Sequence, residues 1–305
     1  MSENEKEIKS FQNKWYEFAT RYPITVLMII TLLCLIFRLL DTFVLPITEL
    51  VGELIFSKSL GLILIVFYLW SINRKPKAIG IHRSNLGQSF AIGFLLAAIM
   101  LGVYYILTLV VNSISGIEGG LEFAPTDPKT GLRGDYYFAL WLLFGNIVNV
   151  LMEEGLFRGL MTRKFLDKMS FWRTNILQAF LFGIWHITWP IKDFIDGETS
   201  FGGFILQSII QTLSPFLIAL IWGYMFFKTA SLIGPLISHY LWNSTLNVIL
   251  FIATSGEDTS TAYIIAGGGA IIAGLFSIYL IKFLVERWNL PQLKPWSAGE
   301  MDLRV

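Results

Sequence analysis

The chain has 305 residues, of which 54% are hydrophobic and only 15% charged, with a formal net charge of +1; a soluble domain carries roughly 25% charged residues. Mean hydropathy is +0.62. That much apolar surface cannot all be hidden in a water-soluble core of this size, which excludes a soluble enzyme, a disordered protein and a secreted disulfide scaffold, and points to lipid as the solvent. The near-neutral balance gives no pull toward nucleic acid.

A bilayer core of about 30 Å needs around 20 mostly apolar residues per helix. This ruler predicts an all-α, polytopic bundle of about eight membrane helices, near 24–45, 56–72, 86–111, 136–161, 175–190, 203–227, 232–253 and 262–285. The second is the weakest, because its dense apolar part is short and Lys58 stands at its start. The first lacks a small-residue cleavage signature and reads as a retained anchor. Cys34, the single cysteine, falls inside it, so no intrachain disulfide forms. The segment around 116–134, rich in Gly, Pro and acids, reads as an external turn.

Lysine and arginine provide a test independent of hydropathy. Lys6, Lys9, Lys14 and Arg21 precede the first span; Arg74, Lys75, Lys77 and Arg83 follow the second; Arg163, Lys164, Lys168 and Arg173 follow the fourth; Arg287, Lys294 and Arg304 follow the last. The intervening loops offer only Lys58, then Lys129 and Arg133, then Lys192 among three acids. This alternation predicts an even number of spans with both termini cytoplasmic. The division expected is a cytoplasmic tail over 1–23, three accessory helices and an external loop over 24–135, a catalytic four-helix core over 136–253, and a last helix with a cytoplasmic tail over 254–305.

Ionisable groups inside a span are costly and call for a reason. Asn146, Asn149 and Glu153 share one helix face, while Glu154 and Arg158 are spaced for an i, i+4 ion pair. Glu153 points about 100° away from Glu154 and lacks that local cation. The fifth span holds His186; the seventh carries His239, Asn243 and Asn247 on one face. Measured from the flanking basic residues at about 1.5 Å per residue, Glu153, His186 and His239 lie about 15–20 Å deep, within one turn of each other. Helix–helix hydrogen bonding would account for Asn146 or Asn247 singly; Glu153 and two histidines at one depth favour a shared pocket. Gln207, Gln211 and Ser214 read as packing or cavity lining. Gly269 with Ala273 and Ala270 with Gly274 read as close-packing faces. The third histidine, His82, reads as a solvated loop residue.

A carboxylate with imidazoles in an apolar cavity is equipment for activating water. Desolvation favours a more basic Glu153, suited to take a proton from water, and imidazole or amide donors can stabilise an oxyanion. Glu153-Glu154-x-x-x-Arg158, Phe182-x-x-x-His186 and His239-x-x-x-Asn243, in that order, resemble the three-part signature of the CPBP family. Its members are CaaX prenyl proteases of the Ras-converting type and bacteriocin-processing and self-immunity proteins. The resemblance covers about 136–253 and implies a metal-free, glutamate-dependent intramembrane endopeptidase on a bundle opening toward the cytoplasm, acting on a membrane-associated peptide or protein. Carried over by position, Glu153 is the general base, His186 holds the same water, and His239 with Asn243 forms the oxyanion site. Glu154 and Arg158 orient the site, Arg158 also meeting the substrate carboxylate.

The alternatives are a zinc protease with Glu153, His186 and His239 as ligands, or a non-catalytic immunity or regulatory membrane protein. An integral, multi-pass protein of the plasma membrane is expected, with Arg163, Lys164 and Lys168 near a mouth on the cytoplasmic leaflet.

Overall fold

The computed structural model describes residues 13–19, 21–45, 55–127 and 131–296. Lys6, Lys9, Lys129 and Arg304, counted in the charge alternation, lie outside the described residues. The elements are α1 (Pro23–Phe43), α2 (Ile55–Ser71), a 3-10 turn (Pro76–Ile79), α3 (Leu86–Ile114), β1 (Gly119–Phe123), α4 (Tyr136–Glu154), α5 (Phe171–Ile184), α6 (Thr188–Ile195), α7 (Phe201–Thr229), α8 (Ile233–Val248), β2 (Ile249–Ala253) and α9 (Ser260–Arg287). Among the described residues, five helices are long and apolar enough to cross a membrane: α1, α3, α4 with its continuation to Phe165, α7 and α9. Leu32, Ile63, Ile106, Phe144 and Phe276 project outward from them and from α2, the surface expected of a bundle solvated by lipid.

The remaining predicted spans are shorter, each for a local reason. In α2, 17 residues are helical. The fifth predicted span breaks after Ile184 and restarts as α6 at Thr188. Pro190 favours the break: in a continuous helix its ring would strike the carbonyl of residue 186, and it has no N–H to give, although α7 carries Pro215 without interruption. At the start of α6 the same proline is tolerated. The break leaves His186 in a turn between two helices.

The seventh predicted span stops at Val248. Ile249–Ala253 pairs instead with β1 as an antiparallel ladder, Gly119 opposite Ala253 and Phe123 opposite Ile249. A short apolar run has no period that separates helix from strand, and β1 supplies the backbone partners that decide it. The Tyr105 hydroxyl donates to the Ile249 carbonyl at 2.9 Å, fixing this ladder to α3.

Asp135 starts α4, its carboxylate accepting from the Tyr137 and Phe138 N–H groups at 2.9 and 3.2 Å, an N-cap. Below Glu154 the helix widens into eight residues of π-helix, Gly155–Thr162, all buried. The small faces of α9 pack as expected: Gly269 lies against Leu107, and Gly274 against Met100 and Ile221. His82 is not merely solvated, since one ring nitrogen meets the Ala230 carbonyl at 3.0 Å.

A close backbone approach joins α3 to α8, where a Cβ on Gly93 would run into the Gly234 carbonyl, while one on Gly102 would meet nothing. Gly93→Val should therefore destabilise the fold by about 1–3 kcal/mol or more, since backbone cannot move aside. Gly102→Val should be close to neutral. Thermal unfolding in detergent compares them.

Candidate active site

A cavity of about 400 Å³ is sunk among α1, α2, α4, α5, α6, α7, α8 and α9, and its lining includes Asn146, Asn149, Glu153, His186, His239, Asn243 and Asn247. The two polar stripes read from helical spacing thus face one space. Gln211 and Ser214 line it from α7. Glu154 and Arg158 do not line it; both are fully buried behind it.

Glu153 is held asymmetrically. Its Oε1 accepts from Trp185 Nε1 at 3.2 Å and faces Arg38 Nη1 at 3.7 Å, while Oε2 is turned to His239 Nε2 at 3.8 Å. Arg38 is itself fixed, donating from Nε to Thr188 Oγ1 at 3.1 Å and lying over the Trp185 ring at 5.0 Å. Glu153 lacks a cation on its own helix, as its spacing indicated, but takes one from α1.

Both histidine tautomers follow from their partners. The His186 Nδ1 lies 2.8 Å from the Phe182 carbonyl, which can only accept, so Nδ1 carries the proton and Nε2 keeps its lone pair. The His239 Nδ1 donates to Glu154 Oε1 at 2.9 Å, which leaves a neutral His239 with a lone pair at Nε2. Trp222 stacks on the His239 ring at 4.3 Å and donates its Nε1 to Ser238 Oγ at 3.0 Å, so the ring plane is fixed as well.

Glu154 Oε1 also meets Arg158 Nη1 at 3.0 Å. The Arg158 guanidinium sits 4.2 Å from the Phe182 ring centre and 5.3 Å from that of Trp222, with no surface in the cavity. The substrate-carboxylate contact implied by family resemblance has no counterpart in this arrangement, in which Arg158 is buried and does not line the cavity. The cations that do line the cavity are Arg38 and Lys58, both outside residues 136–253. The sequence does carry a signal for Arg38, an ionisable group deep inside the first predicted span.

Arg163 and Lys164 are not at the mouth either. Both are buried against Trp296, and Arg163 Nη1 donates to the Lys294 carbonyl at 2.9 Å. Among the described residues, no group of three or more His, Cys, Asp or Glu side chains is placed to hold a metal ion.

Fold and site together define a polytopic membrane protein with a carboxylate–histidine centre sunk in its helix bundle. Residues 135–245, from the cap of α4 to the second half of α8, match a family model described as type II CAAX prenyl endopeptidase, Rce1-like. That match covers the segment carrying all three parts of the signature, and the family is one of membrane proteases. No curated protein and no solved structure matches the chain.

Arg158 neutralises a buried carboxylate that also fixes His239. Arg158→Ala should cost about 3–5 kcal/mol, the usual result of stranding one charge of a buried pair. Chemical or thermal unfolding in detergent measures it, and a loss below about 1 kcal/mol would place the pair in the range of exposed ion pairs.

Proposed function

We propose that the protein is a metal-free, membrane-embedded endopeptidase that hydrolyses a peptide bond of a membrane-associated peptide or protein with water activated by Glu153. The observation that carries this reading is the division of labour on Glu153: Oε1 is occupied by Trp185 Nε1 and faces Arg38, while Oε2 faces His239 Nε2 across 3.8 Å beside a cavity. That gap is too long for a hydrogen bond and suits a bridging water.

A water between these groups gives one proton to Glu153 Oε2 and turns its other O–H to the His186 Nε2 lone pair. Its oxygen attacks the scissile carbonyl, and the C–N bond breaks as the amine takes up that one proton, relayed from Glu153 through His239. The oxyanion falls first to the Asn243 amide, because a neutral His239 offers only a lone pair at Nε2. Once His239 accepts the proton from Glu153, it becomes an imidazolium tied to Glu154 and can donate to the oxyanion or to the leaving amine. Pre-set donors of this kind act where charge develops. Glu154 thus works through His239, as a carboxylate that fixes an imidazole does in other hydrolytic sites.

In cells, Glu153→Gln and His186→Ala should each leave a membrane-associated precursor peptide uncleaved, with turnover in proteoliposomes down by about a hundredfold or more for Glu153→Gln. Wild-type turnover by both variants, each shown to be folded, would rule out the mechanism. Treatment with a strong chelator should leave wild-type turnover intact; loss on chelation and recovery with stoichiometric zinc would replace this reading with the metalloprotease.

A further inference from the structure

Away from the cavity, basic side chains gather where several chain segments meet. Arg74 follows the end of α2, and Arg163 and Lys164 follow the wide segment that ends at Thr162. The chain beyond α9 returns to this place and lays Trp296 against both: the Lys164 Nζ stands 4.4 Å from its ring centre and the Arg163 guanidinium 5.7 Å. Residues 13–19, a short helical stretch ahead of α1, complete the seam. A nook of about 10 Å³ is left among Tyr16, Tyr68, Arg74, Lys164 and Trp296, room for about one oxygen the size of a water molecule. Arg74 and Tyr16 are only half-buried, so the nook reaches the surface.

The charges at this seam are crowded. Arg74 is near enough to Arg163 for the two to repel, and Asp167, one helical turn further on, is a carboxylate that faces Arg163. Arg163 Nη1 is spent on a neutral acceptor, the Lys294 carbonyl at 2.9 Å. Two donors here are buried without a hydrogen-bond partner among the described residues: Arg163 Nε and, on the residue before Tyr16, Trp15 Nε1. A buried cation is costly until it is paired and hydrogen-bonded, so an anion at this seam would relieve both the repulsion and the orphaned donors.

The surroundings indicate which anion fits. Trp15, Tyr16, Phe18 and Tyr22 form a cluster of aromatic side chains just ahead of α1, with Phe18 and Tyr22 exposed, the kind of belt that settles at headgroup level. Beyond it α1 turns Met28, Ile29 and Leu32 outward, an apolar wall suited to acyl chains. We propose that this seam binds the phosphate of an anionic phospholipid, with one phosphate oxygen seated between Arg74 and Lys164 and the acyl chains lying along α1. Basic pockets between membrane helices take such headgroups. The bound lipid ties residues 13–19 to α2 and to the helix that carries Glu153. The proposal does not depend on the peptidase reading.

The test uses the full-length protein in an uncharged detergent, titrated separately with dioctanoyl phosphatidylglycerol, dioctanoyl phosphatidylcholine and inorganic phosphate. Phosphatidylglycerol should raise the thermal unfolding midpoint in a saturable way, and the other two should not at the same concentrations. Arg74→Gln and Lys164→Gln should each weaken that binding by about fivefold. Arg173→Gln, which removes an exposed cation at the start of α5, should leave it unchanged. Lys164→Gln also gives up its place on the Trp296 ring, so the half-buried Arg74→Gln decides if that variant fails to fold. Unchanged binding by Arg74→Gln, or an equal loss in Arg173→Gln, would overturn the site. Equal stabilisation by phosphatidylcholine would overturn the choice of an anionic lipid. An equal effect of inorganic phosphate would make the seam a free-anion site and overturn the lipid.

Discussion

One carboxylate oxygen organises the centre of this protein. Glu154 Oε1 receives Arg158 from one side and His239 Nδ1 from the other, in a place without access to water. Burying a charge is affordable only when it is paired and hydrogen-bonded, so the three groups stand or fall together. The pairing has a directional result: by accepting the Nδ1–H hydrogen bond, Glu154 turns Nε2 of His239 toward Glu153 Oε2 and the cavity. The chemistry of the open side is thereby set from the closed side.

The site is assembled from elements that are far apart in the chain. Helix α4 supplies Glu153, the break between α5 and α6 supplies Trp185 and His186, and α8 supplies His239 and Asn243. Helices α1 and α2 contribute Arg38 and Lys58, so helices outside residues 136–253 supply two cations to the cavity that Glu153 lines. Thr188, which receives Arg38 Nε, comes from the first turn of α6. The same interruption therefore delivers an imidazole and the anchor for a guanidinium.

Helical phase made much of this legible. Asn146, Asn149 and Glu153 fall on one face by spacing, and so do His239, Asn243 and Asn247; the structure turns both faces to one cavity. The separation of Glu153 from Glu154 by one residue was enough to give them different surroundings. What spacing could not convey was partnership across helices: the Trp185 and Arg38 contacts to Glu153, or the His239 contact to Glu154. The break at His186 had a marker in Pro190, whose ring disfavours a continuous helix, but hydropathy averages over such a residue, and Pro215 inside α7 shows that proline alone does not decide. Ile249–Ala253 was opaque for a different reason, because an unbroken apolar run fits helix and strand equally and only the distant β1 segment decides.

The wide-turn segment Gly155–Thr162 has a consequence for how this centre tolerates change. Each wide turn holds one residue more than an α turn, so the segment is a store of spare length between the half of α4 that lines the cavity and the half anchored among the basic loops. Removing a single residue there would let the winding tighten while the two halves keep nearly the same phase. The same deletion in the regular part of α4 would turn everything on one side of it by about 100° and carry Glu153 out of the hollow.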